Sequence, residues 1–334
     1  MDSRPIFIGG VERSGTSLLY ALLASHPNIA MTRRTNLWPF FYQQFGDLNK
    51  RENLDRCLSM MKQYRRLRIM NPDYERIEQQ LRQGSADYIK LFTLIWDQYA
   101  EKLGKPRWGD KSLNTERYAD VIFKAYPDAR ILHIVRDPRD RYASALKRWK
   151  VIRGGVGSGA GMWLESVRVG YRNMRKYPGQ YRFVRYESLA AEPEKLMREI
   201  CDFIGETYDP VMLSMRGAEA FRDDGGNSSF EQHEPGSIST RSVGRYRKYL
   251  TPRWIAFIQA TAGREMKALD YPLDDLHLSI RERLLFTSMD LPLNTARLTA
   301  WRWRESYLDR VGRPIPESRL VTDVGAGQAE VMGL

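Results

Sequence analysis

An α/β fold, with a central, mostly parallel sheet flanked by helices, is what the sequence predicts, and three observations carry it. Short apolar runs of strand length recur, "RPIFIGG" at 4–10, "ARILHIV" at 129–135 and "YRFVRYESL" at 181–189. Amphipathic helical patterns separate them, and such alternation is the signature of a parallel sheet covered on both faces. The first run also passes through a glycine-rich turn straight into a helix. That unit offers backbone N–H groups and a helix N-terminus to an anion beyond the carboxyl ends of the strands.

Taken in order, "RPIFIGG" is a buried strand and "TSLLYALLASHP" is the helix after it, ended near His26-Pro27. Residues 31–83 read as helical stretches without clean boundaries. Tyr88, Leu91, Phe92, Ile95, Trp96, Tyr99 and Leu103 follow helical spacing, the pattern of an amphipathic helix packed on a core. "RWGDKS" reads as a short strand or loop, with a helix after it to about Tyr126. "ARILHIV" is a strong buried strand broken by "RDPRD", and "RDRYASALKRW" is helical. The strand "YRFVRYESL" leads into the helix "EPEKLMREICDFIG", where Pro193 suits a first turn. Residues 217–246 turn polar and glycine-rich, the mark of a functional or mobile loop. Helices resume at Thr251 and run to about Arg310. The expected organisation is one domain over 1–310 and a weakly ordered tail over 311–334.

Composition narrows the function classes. Hydrophobic residues make up 42% and charged residues 28% of the 334, an ordinary globular balance. No apolar run reaches the roughly 20 residues of a membrane span. The N-terminus lacks the layout of a secretory signal, so a cytoplasmic address is expected. Cys57 and Cys201, like the histidines at 26, 133, 233 and 277, are scattered, which gives neither a disulfide framework nor metal-ligand spacing. No metal is expected. The net charge of +12 favours an anionic partner: nucleic acid, an anionic membrane surface or a small multiply charged ligand. Clusters such as "RRLR" at 65–68 and "KRWK" at 147–150 contribute to it, and a solvated helix face is the competing reading of each.

Two constellations carry chemistry. The stretch "GGVERSGTSLL", 9–19, has the frame G-x-x-x-x-G from Gly10 to Gly15, with Thr16 where a nucleoside-triphosphate loop holds its lysine. The hydroxyls and the anion nest remain, and the cation must come from Arg13 or from a lysine elsewhere. A plain strand-to-helix connection is the alternative. In "VRDPRDRYASALKRW", Arg136 stands at a strand end, with Ser144 eight residues on and Arg148 four beyond on the same helix face. Guanidinium, hydroxyl and guanidinium make a cradle for a phosphate monoester. The alternative is a structural Arg136–Asp137 pair with a solvated Arg148.

A ligand with anionic groups at both ends would use both sites, and here the sequence resembles the sulfotransferases that use 3′-phosphoadenosine 5′-phosphosulfate (PAPS). The resemblance runs through the loop, "WGDKS", "PDARILHIVRDPRD", "VRYESLAAEPEKLM" and "SVGRYRKYL", over most of residues 5–270 in the family's order. Tyrosylprotein sulfotransferases and bacterial carbohydrate-type sulfotransferases look most alike. It implies a P-loop-like fold and donor contacts from Arg13, Ser14, Gly15, Thr16 and Ser17 to the 5′-phosphosulfate. Arg136, Ser144 and Arg148 would hold the 3′-phosphate. It further implies Tyr186 near the nucleotide, Arg241, Ser242 and Arg245 closing over the donor, and Lys111 against the transferred sulfuryl group. The implied reaction is metal-independent, leaves adenosine 3′,5′-bisphosphate, and uses an acceptor hydroxyl on a carbohydrate, small natural product, lipid or tyrosine, with no nucleic-acid partner. The rival readings are a nucleotide kinase or hydrolase with a displaced lysine, and a non-catalytic nucleotide-binding relative.

The resemblance leaves the catalytic base open. Tyrosylprotein sulfotransferases carry a glutamate shortly after the His-Pro that ends the first helix, and the same spacing here lands on Arg33 and Arg34. Asp110 is the leading substitute, with orientation of Lys111 or Arg13 as its competing role. His26 is a candidate by residue type but reads as a helix-end cap. Arg34 could bind an anionic acceptor. Asn36 and Trp38 could line its pocket, or Trp38 could be core.

Overall fold

The computed structural model describes residues 4–150, 152–230 and 234–321. Five strands, β1 (Ile6–Gly9), β2 (Ile29–Arg33), β3 (Arg107–Lys111), β4 (Arg130–Val135) and β5 (Tyr181–Arg185), form one sheet in the order β2-β3-β1-β4-β5. Every pairing is parallel. The chain builds one side of β1 through β2 and β3, then the other through β4 and β5. The topological switch point therefore lies at the carboxyl end of β1, where open α/β sheets bind ligands.

The main helices are α1 (Thr16–Ala24), α2 (Tyr88–Leu103), α3 (Pro138–Trp149), α4 (Gly155–Lys176), α5 (Pro193–Ile204), α6 (Pro252–Ala268) and α7 (Leu291–Val311). Side chains alternate across β1, so each face of the sheet gathers its own core. Phe7 points to one face, with ring centroids 6.1, 5.8 and 5.7 Å from Trp38, Trp96 and Trp108. Each such aromatic pair adds about 0.5–1.5 kcal/mol to the apolar burial. Trp38 is core. Ile6 and Ile8 point to the other face, against α1 and the Met197, Ile200, Cys201 and Ile204 stripe of α5. Both cysteines are buried and unpaired.

Two elements depart from the pattern reading. Residues 29–33 form the edge strand β2, although the stretch beyond residue 31 reads as helical; five residues ending in Thr32-Arg33 are too short and too polar to announce a strand. The 22-residue helix α4 is hidden by its glycines at 155, 157, 159 and 161, which lower helical propensity. Those at 155, 157 and 161 serve packing against α7, where a Cβ on Gly157 would lie 2.2 Å from the Asn294 carbonyl oxygen, and Gly159 makes room for the Tyr142 ring of α3. "RWGDKS" resolves as β3 because its polar residues are buried between two parallel partners.

Within 217–246, short helical turns form at Glu219–Asp223 and Thr240–Ser242, and residues 231–233 lie outside the described set. At the C-terminal end, Leu320 bridges to Tyr64 and Ile315 packs against the Phe7-side core. Residues 322–334 lie outside the described residues. No helix among the described residues is long and apolar enough to cross a membrane.

Candidate active site

The sheet delivers the cationic residues of both constellations to one edge. β1 ends at the glycine loop, β2 at Arg33, β3 at Lys111, β4 just before Arg136, and β5 just before Tyr186. In the loop, φ is +114° at Gly10, +69° at Arg13 and +97° at Gly15. Left-handed residues at both ends curl the loop ahead of α1, and within it the Ser14 N–H donates to the Val11 carbonyl at 3.3 Å. A Cβ on Gly15 would lie 2.4 Å from the Tyr186 ring, so the glycine is what lets that ring rest on the loop. Ser14 is fully buried and its Oγ has no hydrogen-bond partner among the described residues.

Arg136 lies over the Tyr186 ring at 4.6 Å. Its Nη1 donates to the Arg13 carbonyl (3.3 Å) and its Nη2 to the Ser242 carbonyl, while its Nε is buried without a partner. The Trp163 indole N–H donates to the Arg136 carbonyl at 2.8 Å and fixes the strand end. Asp137 does not pair with Arg136. It caps α3 and binds Arg139, Nη2 to Oδ2 at 2.6 Å. Arg136 thus has no carboxylate partner among the described residues. Eight residues on, the Ser144 hydroxyl accepts from Arg13 Nε (3.1 Å) and donates to Ser229 Oγ (3.1 Å). Arg13 Nη2 reaches the Asn227 carbonyl (2.6 Å) and Ser229 Oγ (2.7 Å). Loop 227–229 is therefore part of the site, a contribution that no pattern in its polar sequence announces.

Arg148 is exposed one turn beyond Ser144. Burial, then the charges of Arg136, Arg148 and Arg34, brings Arg13 down to about 10. Ser242 joins through its backbone. Arg241 is exposed, and its carbonyl accepts from Arg245 Nε at 2.7 Å while the Arg245 guanidinium covers the Phe230 ring.

Lys111 closes β3, in register with Ile8 of β1 on one side and Arg33 of β2 on the other. It is 1% exposed, and its ammonium has no hydrogen-bond partner among the described residues. Burial, then the charges of Arg34 and Arg33, holds it well below the ordinary lysine range. Asp110 points to the opposite face and is fully enclosed. Its carboxylate accepts the hydroxyls of Thr32 (2.6 Å), Thr35 (2.6 Å) and Ser112 (2.8 Å). Among the described residues it pairs with neither Lys111 nor Arg13; its hydroxyl partners build the turn that presents Arg33 and Arg34. Burial pushes its carboxyl up, and the three hydroxyls oppose that shift.

Arg34 sits in that turn with φ +59°, its N–H donating to the Lys111 carbonyl at 2.7 Å. Burial, then Arg33, Arg66, Arg319 and Arg148, lowers it to about 10. Arg33 covers the Tyr20 ring, and its Nε is buried without a partner. Arg66 was visible only as part of a basic run, and Arg319 lies in the stretch read as tail. Asn36 is buried beside them, its N–H donating to Ser112 Oγ at 2.8 Å. His26 is elsewhere, at the far end of α1. Its Nδ1 accepts from the Asn28 N–H and its Nε2 donates to the Thr207 carbonyl, as befits a cap.

A nest of amides, a phosphate cradle and a buried unpaired lysine on one edge together suit a ligand carrying anions at both ends. The chain is 28% identical over 216 residues to the protein-tyrosine sulfotransferase of Drosophila melanogaster, covering 62% of this chain and 39% of that one. It is 27% identical over 227 residues to a putative protein-tyrosine sulfotransferase of Caenorhabditis briggsae, covering 66% of this chain and 72% of that one. Among solved structures, the sulfotransferase domain of the Synechococcus PCC 7002 olefin synthase superposes with a TM-score of 0.58 at 22% identity. It covers 81% of this chain and 96% of the domain, and it shows the same fold. Residues 5–210 match the model of the Sulfotransferase family, and the chain belongs to that family.

Proposed function

We propose that this protein moves a sulfuryl group from PAPS to an acceptor hydroxyl and that it does so without a metal ion. The observation that supports this most is that two buried cations flank the lysine-less loop, Lys111 and Arg136, neither of them with a carboxylate partner among the described residues and the second with its Nε left without a hydrogen bond. Buried charges without partners are costly, and an anionic ligand offsets that cost. The loop amides with Ser14, Thr16 and Ser17 would hold the 5′-phosphosulfate, with Arg13 behind them. Arg136, Ser144 and Arg148 would hold the 3′-phosphate, with Tyr186 beneath and Arg241, Ser242 and Arg245 at the rim.

In the transfer, the acceptor oxygen bonds to sulfur as the bond from sulfur to the bridging phosphate oxygen breaks. Adenosine 3′,5′-bisphosphate leaves with the electron pair. Lys111 and Arg13 stabilise the charge that builds on that oxygen, the work a magnesium ion does in triphosphate loops. Asp110 acts by positioning the Thr32–Asn36 turn. An acceptor hydroxyl beside Lys111, Arg33 and Arg34 has its own pKa lowered by their charge, and its proton passes to solvent as the new bond forms. The same arginines favour an acceptor that carries a further anionic group.

Calorimetry tests the donor. Adenosine 3′,5′-bisphosphate should bind without magnesium, and Arg136→Ala and Ser144→Ala should each weaken it, the arginine by about 10- to 100-fold. Binding of ATP only with magnesium, and none of the bisphosphate, would overturn the reading in favour of a kinase or hydrolase.

A further inference from the structure

Beneath the glycine loop lies a buried chain of side chains that the transfer chemistry does not use. The Gly10 N–H donates to Glu116 Oε2 at 3.0 Å. The Ser166 hydroxyl of α4 donates to Glu116 Oε1. Ser166 Oγ is also 3.0 Å from His133 Nε2, and His133 Nδ1 is 2.6 Å from the Tyr181 hydroxyl. Glu116 and Tyr181 sit on a turn and a strand more than 60 residues apart in sequence, and α4 joins them.

The directions of these bonds follow from the donors available. Ser166 spends its one proton on the carboxylate, so its oxygen accepts from His133 Nε2–H. His133 Nδ1 is then bare and accepts from Tyr181 O–H. Burial lowers the His133 pKa, which keeps the ring neutral as this order requires. All three side chains, Glu116, Ser166 and His133, are at most 5% exposed. The loop itself is shaped for the carboxylate. A Cβ on Gly9 would lie 3.0 Å from Glu116 Oε2, so the glycine just before the G-x-x-x-x-G frame is what admits it.

We propose that Glu116 is the positioning residue of the donor loop, held in place by Ser166, His133 and Tyr181. The carboxylate takes the first loop amide out of the anion nest and pins Gly10 in its left-handed conformation. The rest of the loop is then set in its curled form before any ligand arrives. Such preorganisation raises affinity by removing the cost of ordering the loop on binding. The role in donor affinity rests on the PAPS reading; the pinning of the loop does not.

Hydrogen exchange on the unliganded protein reads the pinning directly. In Glu116→Ala the amides of residues 10–14 should exchange about tenfold faster, with α2 and β4 unchanged. Glu116→Gln keeps an oxygen for Gly10 and, by reversing the Ser166–His133 bond, should exchange as the wild type does. The bisphosphate should bind about tenfold more weakly to Glu116→Ala and near normally to Glu116→Gln, with full stoichiometry in both. A merely structural role would speed exchange throughout the core and lower the bound fraction while leaving Kd unchanged. That result, or wild-type exchange at residues 10–14 in Glu116→Ala, overturns the proposal. If Glu116→Ala does not fold, Ser166→Ala carries the test, with a selective rise of about threefold expected at the same amides and a uniform or absent rise overturning it. A wild type that exchanges as expected but does not bind bisphosphate would defeat the donor reading alone.

Discussion

Strand β3 opens on a buried arginine and closes on a buried lysine, and the protein surrounds the two in opposite ways. At the amino edge, Arg107 donates to the Ile204 carbonyl at 2.8 Å, to Glu206 at 2.9 Å and to the Arg4 carbonyl. Two residues before it, the Lys105 ammonium caps α1 by reaching the carbonyls of Ala24 (2.8 Å), His26 (2.8 Å) and Ile29 (3.0 Å). At the carboxyl edge, Lys111 has no such partner among the described residues and faces Arg33 and Arg34. The structural cation has a carboxylate partner within the chain. The cation proposed to meet a ligand has none among the described residues, and the charges of Arg34 and Arg33 beside it have the same sign.

The difference is tested hardest at Arg107. Its side chain is 1% exposed and that of Glu206 9%, so removing one partner strands the other charge in the interior. Arg107→Met should lower stability by about 3–5 kcal/mol in urea titration, with kcat per folded molecule unchanged. Comparable stability in the variant would mean that the amino edge is not the matched edge it is taken to be.

Lys111→Met should behave in the reverse manner. Loss of the cation beside the transferring group should cut kcat by about 100- to 1,000-fold. Stability should hold or rise, because the variant also removes a buried charge repelled by Arg33 and Arg34. A loss of stability with turnover preserved would move Lys111 into the same class as Arg107.

The two edges also differed in how far sequence revealed them. The loop, "GDKS" and "VRDPRD" are legible because each is local: a handful of adjacent residues sets a turn or a strand end, and Arg13, Lys111 and Arg136 stand on it. Arg66 and Arg319 come to the same edge from residues 65–70 and 317–319, through packing that no spacing encodes. The surroundings of Asp110 are hard to read for a related reason. Its neighbour in sequence is Lys111, but adjacent strand residues point to opposite faces, and its partners are the hydroxyls of Thr32, Thr35 and Ser112. α4 is not legible because its glycines lower helical propensity, while those at 155, 157 and 161 are what allow α7 to approach it and Gly159 admits Tyr142 of α3. The matching at Arg107 was invisible too, since its acceptors lie about a hundred residues away.

The smallest effect separates the edges without measuring turnover. Between the depressed pKa of Lys111 and the ordinary lysine value of 10.5, the unfolded chain holds a proton on this residue that the folded chain lacks. Stability therefore rises with pH across that window, and the contribution is lost as pH falls through the folded pKa, by at most about 1.4 kcal/mol per pH unit for one proton. Wild type minus Lys111→Met, followed by urea titration from about pH 7.5 to 9.5, isolates the term, because Arg13 and Arg34 are lowered only to about 10. The difference should climb with pH in the unliganded protein. Saturating adenosine 3′,5′-bisphosphate places anions near the ammonium, raises its pKa and should flatten the slope. A flat difference without ligand would mean that Lys111 is as well matched as Arg107, and the contrast between the two edges would fail where it matters most.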